Sequence, residues 1–342
     1  MNSTTETVVG VDIAKQVFQV REVNPQTGEI VSVQLRRAKF LDYFANRQPC
    51  LIGMEACGGA QHWARQLSAM GHSVKLLPAT KVRPFVGGNK NDMADARAVW
   101  TAVQQPGIKT VAIKTEAQQA VLAMHRMRQQ LVKFRTAQMN ALRGLLAEYG
   151  EVMPQGRAAL AKAVPGVFER LHDRLPMILI DTLRDQYARV SQLDEQVVEI
   201  ERRLQAWHRQ DDACRRIAAI PGVGLLTATA AVATIGDAHA FKSGREFAAW
   251  LGLVPRQVGT GGRVKLLGIS KHGDTYLRTL LIHGARSVLT NSKALPIWIT
   301  NLCQRRPLNV AVVAMANKMA RTLWALLAHQ RTYQPGYLGQ PG

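Results

Sequence analysis

Val8-Val9-Gly10-Val11-Asp12-Ile13-Ala14-Lys15 is the stretch on which the chain turns. Three valines and a glycine lead into Asp12, and a polar tail follows. An apolar run of this length predicts a buried central strand. Ending such a strand on a carboxylate puts a charge where burial is costly, so something must compensate it. Two more runs share the pattern: LIGME, residues 51–55, closes on Glu55, and SVKLL, residues 73–77, stops at Pro78. Between them Gly58-Gly59 opens a helix through Trp63, Leu67 and Met70 that ends at Gly71, so residues 51–77 predict a parallel strand–helix–strand unit. Residues 16–23 and 30–36 flank the turn-rich Asn24-Pro25-Gln26-Thr27-Gly28, which makes an antiparallel meander with the first strand. The N-terminal part is therefore expected to be α/β with one mixed sheet.

At 342 residues with 47% hydrophobic side chains the chain can fill two cores. Its formal charge of +20 and pI near 10.4 point to a polyanionic partner. Residues 261–342 hold eleven Lys and Arg against one acid, Asp274. Because these charges are interleaved with apolar positions, nucleic acid is favoured over an anionic membrane surface. Cys50, Cys57, Cys214 and Cys303 form no CxxC and read as reduced thiols of a cytosolic protein. With no leader-like N-terminus and no run of ~18 apolar residues, the expected compartment is the cytoplasm, at the nucleoid when nucleic acid is engaged.

Asp92 and Asp95, in KNDMADARAVW, stand three apart on a predicted helix and share a face, while Val99 and Trp100 pack back onto the sheet. Asp12 and Glu55 end strands expected to be neighbours. Four carboxylates confined together cannot all stay ionised without cations, and hard oxygen ligands select Mg²⁺ or Mn²⁺. Two such ions can activate an attacking oxygen and stabilise the leaving oxygen of a phosphodiester. The bland alternative is solvated acids, with Asp92 a simple helix cap.

Residues 116–149 and the run from Leu183 to Trp207 carry apolar side chains at steps of three and four, which predicts two long helices forming an α-helical hairpin with a coiled-coil seam, interrupted by Gln138 and joined through the region of Pro154, Pro165 and Pro176. From about residue 211 the chain reads as a compact, mainly helical basic domain. Its Ile220-Pro221-Gly222-Val223-Gly224 resembles the turn of a helix-hairpin-helix, whose backbone N–H groups face a phosphate, with Gly222 and Gly224 as candidates. Further on, Thr260 sits between glycines on a loop with Arg256, Arg263 and Lys265, and Lys271 follows in Ile269-Ser270-Lys271-His272-Gly273-Asp274. A hydroxyl so placed can attack a phosphodiester once a metal or base activates it; otherwise it merely bonds backbone. Arg278 and Arg286 align on one helix face and suit phosphate neutralisation. Trp298 and Trp324 read as core rather than base-stacking platforms.

Asp12 after a central strand, the meander, Glu55 and the helix with Asp92 and Asp95 resemble a RuvC-type, ribonuclease H-like fold. With the C-terminal motifs, nearly the whole chain resembles the DEDD transposases of the IS110/IS1111 insertion sequences. The resemblance implies metal binding by Asp12, Glu55, Asp92 and Asp95. It implies a nucleophilic hydroxyl at Thr260, where the family carries serine, with Ser270 as fallback. It further implies a structured non-coding guide RNA that pairs with donor and target DNA, and a homodimer or homotetramer.

The resulting expectation is a nuclease domain over residues 1–115, a helical hairpin over 116–210 and a basic C-terminal domain over 211–342, acting together as an RNA-guided DNA recombinase. Acids and hydroxyl on different domains are compatible with a site assembled between subunits. The competing readings are a junction-resolving endonuclease with the same metal site and water as nucleophile, and a non-catalytic nucleic-acid-binding protein.

Overall fold

The computed structural model describes residues 6–87 and 92–335, and the chain divides into two compact units, 1–116 and 117–342. The first contains, in chain order, β1 (Val8–Ile13), β2 (Val17–Val23), β3 (Ile30–Arg36), α1 (Phe40–Ala45), β4 (Leu51–Glu55), α2 (Ala60–Ala69), β5 (Ser73–Leu77), α3 (Ala79–Val82) and α4 (Asp92–Val103). The sheet order is β3-β2-β1-β4-β5. Strands β1, β2 and β3 pair antiparallel, and β1, β4 and β5 pair parallel, as the sequence predicts.

Period-two alternation divides the sheet into two faces. Val9, Val11, Ile52 and Met54 join Phe18, Phe40, Phe44 and Trp63 in an aromatic-rich core, where Phe40 and Trp63 meet edge to face at 5.1 Å. Gly10 and Gly53 belong to the opposite face, against α4. A Cβ on Gly10 would lie 2.5 Å from Trp100 N and 2.6 Å from Ala96 O, and one on Gly53 would lie 2.7 Å from Val103 Cβ. The two glycines therefore let the α4 backbone settle directly on β1 and β4. Trp100 Nε1 locks the contact by donating to Val8 O at 3.0 Å.

The second unit takes in the long helices α5 (Glu116–Ala147) and α7 (Met177–Gln210) with α6 (Arg157–His172) between them, then α8 (Asp212–Ala218), α9 (Leu225–Ile235), α10 (Gly244–Trp250), β6 (Pro255–Thr260), β7 (Arg263–Ile269), α11 (Thr275–Asn291), α12 (Ile297–Arg305) and α13 (Leu308–Ala328). Helices α5 and α7 run antiparallel: Arg128 pairs with Glu201, Arg135 with Asp194, and Gln138 with Gln186. The polar break in the seam is thus answered across the pair. The connection differs from the expected proline-rich link, because Pro165 lies inside α6, whose Leu160, Val164, Val167 and Leu171 close a core with Leu142, Leu146, Ile180 and Leu183. Burying that apolar stripe outweighs the one helical hydrogen bond a proline removes.

Helix α13 is the one helix among the described residues long and apolar enough to cross a membrane; it instead runs through the C-terminal core, burying Ala311, Val312, Ala316, Met319 and Leu323. A second departure from the sequence reading is β6 and β7. Residues 255–269 form a two-stranded antiparallel hairpin instead of a loop, closed by Gly261 and Gly262 at φ of +56° and +80°. Left-handed φ at both turn residues gives the tight two-residue turn that matches strand twist, and glycine adopts it without steric cost.

Candidate functional site

Asp12 is two residues beyond Gly10 on β1 and Glu55 two beyond Gly53 on β4, so both fall on the face that α4 covers. Helix α4 reaches that face with its first turn, which carries Asp92 and Asp95. One carboxylate oxygen each from Asp12, Asp92 and Asp95 lies within 4.8 Å of the others. Glu55 stands outside this group of three, but its charge reaches Asp12. Burial, then the negative charges of Asp95, Asp92 and Glu55, push the Asp12 carboxyl from its ordinary 3.8 up to about 6, against a smaller opposing hydrogen bond from the Ile13 backbone. Burial and the charges of Glu55 and Asp12 likewise push the neighbouring Cys57 thiol up.

Among the described residues no lysine or arginine forms an ion pair with any of the four acids. The N-terminus of α4 offers Asp92 and Asp95 a favourable dipole, which at ~0.3–1 kcal/mol is too small to offset three crowded carboxylates. The donor set is all oxygen, anionic and clustered. That is what a hard divalent cation requires, and simple helix capping does not explain why Asp12 is included.

Residues 9–151 match a family model of IS110-type DEDD transposases, and residues 214–297 match one described as "Transposase IS116/IS110/IS902 family". The chain is 46% identical to a probable family 20 transposase of Pseudomonas aeruginosa over 96% of its length and 98% of the relative's. It is 40% identical to the transposase for insertion sequence element IS1111A of Coxiella burnetii, covering 96% and 92% of the two chains. It is 37% identical to the transposase for IS1328 of Yersinia enterocolitica, covering 94% and 96%. The chain belongs to the IS110/IS116/IS902 transposase family.

In this transposase the remaining candidate residues occupy the second unit. Thr260 closes β6, opposite Arg263, at the hairpin tip. Because Val258 pairs with Lys265 and Thr260 with Arg263, these four side chains share one face of the ribbon; Val264 and Leu266 share the other, 60% and 65% exposed. Arg256 and Lys271 are exposed as well, Lys271 at a left-handed φ of +57°. The fallback, Ser270, has a buried hydroxyl without a hydrogen-bond partner among the described residues, and its backbone N–H donates to Val254 O at the hairpin base.

Two nucleic-acid candidates are held by contacts within the protein. Arg278 is 6% exposed, and its guanidinium donates to Leu251 O at 3.0 Å, to His272 O at 2.6 Å and to Thr275 Oγ1 at 3.0 Å. It clamps the chain entering the hairpin to the chain leaving it, and its donors point inward rather than to a phosphate. Gly222, at φ +85°, is pressed against α11: a Cβ there would meet Gly284 O at 2.7 Å, and a Cβ on Gly284 would meet Gly222 O at 2.0 Å. Its glycine is required by close packing. Gly224 remains exposed at the N-cap of α9 with open space around it.

The sequence reading missed Gly10 and Gly53, whose lack of a side chain sets how close α4 and its two aspartates come to Asp12. The signal available was a glycine two residues before each strand's terminal acid. It also passed over the Gly261-Gly262 pair as a hairpin turn.

Proposed function

We propose that the protein is the DNA recombinase of its insertion sequence, directed by a structured non-coding RNA that pairs with donor and target DNA. The carboxylate cluster of Asp12, Asp92 and Asp95, where burial and then the neighbouring negative charges push Asp12 up to about 6, carries this reading. A divalent cation, Mg²⁺ or Mn²⁺, held by these three with Glu55 would neutralise the scissile phosphate and lower the barrier to its attack. Thr260 supplies the nucleophile. Its Oγ1 bonds to phosphorus as the bond to one deoxyribose oxygen breaks; the threonine proton passes to solvent, and the leaving oxygen takes one up. Attack by a second DNA end on the threonine–DNA ester reverses these steps, so strands are rejoined without an external energy source. Arg256, Arg263, Lys265 and Lys271 hold phosphates beside the attacking hydroxyl, and Gly224 offers backbone N–H groups at the start of α9. Residues 1–115 act as the nuclease, 116–210 as spacer or self-association arm, and 211–342 as the DNA-delivering part, in a homodimer or homotetramer that assembles acids and hydroxyl at one phosphodiester.

One observation favours a second reading, a junction-resolving endonuclease using water: the Thr260 hydroxyl has no hydrogen-bonding base among the described residues. Trapping decides. With Mn²⁺ and a nicked suicide DNA, the recombinase forms a covalent protein–DNA adduct that disappears in Asp12→Asn. Hydrolysed ends without an adduct move the assignment to the nuclease, and DNA processing untouched by Asp12→Asn removes both.

A further inference from the structure

A cavity of about 1400 Å³ opens in the second unit between the end of α11, the linker to α12, α12 itself, α13 and the tail 331–334. It exceeds the roughly 300–1,000 Å³ of ordinary small-molecule pockets, so it suits a length of polymer rather than a metabolite. The tail is brought over it by Gln330, which leaves α13 at a left-handed φ of +51°. The lining combines an apolar floor, including Met315 and Met319, with Lys318, Arg331 and the aromatic rings of Trp298 and Tyr333, and it contains no carboxylate. The sequence has no Asp or Glu at all after Asp274.

Trp298 is the most informative residue. Its ring carries the Lys318 ammonium 4.7 Å from the centroid. Aromatic rings beside cations, over an apolar floor and without acids, are the means by which proteins hold unpaired nucleotides: bases stack or bury while phosphates meet the cations.

We infer that this groove binds an unpaired stretch of nucleic acid, with its bases against Trp298, Tyr333 and the floor and its phosphates on Lys318 and Arg331. The inference rests on the proposed recombinase reading, in which both a guide and separated DNA strands present unpaired nucleotides. A second copy of this chain is the weaker occupant, since it would bring a further +20 of formal charge to a cationic rim.

The test uses the full chain in EDTA, where the acid centre takes no part, with 5-iodouracil-substituted single-stranded RNA and DNA of one sequence and the matching duplex. Ultraviolet crosslinking followed by peptide mass spectrometry should place adducts on Trp298 or Tyr333. Lys318→Glu combined with Arg331→Glu should weaken single-strand binding about tenfold or more at fixed salt, with an unchanged melting temperature. Tighter binding of the RNA arm identifies a guide strand as the source, and equal or tighter binding of the DNA arm identifies a displaced DNA strand. The inference is overturned by adducts confined to other regions, by duplex binding alone, by wild-type affinity in the folded double variant, or by a variant that changes only self-association. The wild-type crosslink map decides should the double variant not fold. Asp12-dependent DNA cleavage measured on the same preparation shows separately whether the recombinase reading stands.

Discussion

The acid centre and the Thr260 hairpin are built in opposite ways. Asp12, Asp92 and Asp95 hang on a five-stranded sheet and a helix pressed onto it through Gly10 and Gly53, so their separation is fixed by backbone packing. The hairpin residues 255–266 are exposed on both strands, and among the described residues the ribbon is fastened at its base, by Arg278, by the Ser270 and Lys271 backbone bonds to Val254 and Gly252, and by Asn317 donating to Leu253 O. A two-stranded ribbon has little stability of its own. Like charges must be held together against repulsion, whereas a hydroxyl can be presented by a compliant ribbon that adapts to its substrate. Substitutions at the rigid centre should therefore trade stability against activity, and those at the ribbon should not.

Asp12→Asn gives the largest effect and tests that trade directly. Strand cleavage should fall on the order of 10³-fold. Removing one of the crowded charges should also stabilise the metal-free protein, by about 1 kcal/mol at pH 7 once solvent screening is allowed for. Cleavage of labelled DNA and thermal unfolding in EDTA read the two quantities, and an inactive variant that melts lower than wild type would contradict the crowding. Thr260→Ala should abolish the adduct, at least about 10²-fold, and leave stability within about 0.5 kcal/mol. Thr260→Ser, which keeps the hydroxyl and sheds the methyl that restricts its rotamers, should retain adduct formation. An adduct surviving Thr260→Ala would transfer the role elsewhere.

Gly10→Ala ranks next. Its Cβ would overlap Trp100 N and Ala96 O, so α4 must shift off β1 and carry Asp92 and Asp95 with it. A loss of roughly 1–3 kcal/mol in stability is expected, together with weaker Mn²⁺ binding by calorimetry although no carboxylate has been altered. Wild-type Mn²⁺ affinity would mean that the cluster does not depend on this contact.

Much of the acid centre was legible because strands and helices have fixed periods. Asp92 and Asp95 at i and i+3, and acids closing two apolar runs, are local patterns that the sheet order merely brings together. What could not be read is pairwise packing. Arg278 has the same sequence signature as a solvent-facing arginine, and only the carbonyls of Leu251 and His272, 27 and 6 positions away, make it a clamp. Gly222 likewise reads as a turn glycine, and only Gly284, on a different helix, shows that close packing requires it.

The acid centre should also be the more pH-sensitive region. Asp12 holds its proton up to about 6 in the folded chain against 3.8 ordinarily. Between those values the folded state binds more protons than the unfolded, so metal-free stability falls as pH rises from 3.8 to about 6 and then levels off. Cation binding needs the carboxylate, so Mn²⁺ affinity should drop by up to about tenfold per pH unit below 6, and in Asp12→Asn this pH dependence should flatten. Calorimetric titration across pH 5 to 7 measures it, and a profile unchanged by the substitution would assign the titration to another group.

The smallest effect separates two arginines of similar sequence character. Arg263 is exposed beside Thr260, whereas Arg278 is buried with its donors on backbone carbonyls. A phosphate-contacting arginine releases about one counterion on binding, so Arg263→Gln should lower the slope of log affinity against log salt by about 1, for DNA of any sequence, without moving the melting temperature. Arg278→Gln should do the reverse: it leaves Leu251 and His272 carbonyls unpaired and loosens the hairpin base, lowering stability while the salt slope holds. Equal slopes for wild type and Arg263→Gln would take this face of the ribbon away from the phosphates. Because the hydroxyl of Thr260 shares that face, the same result would also separate it from the DNA it is proposed to attack.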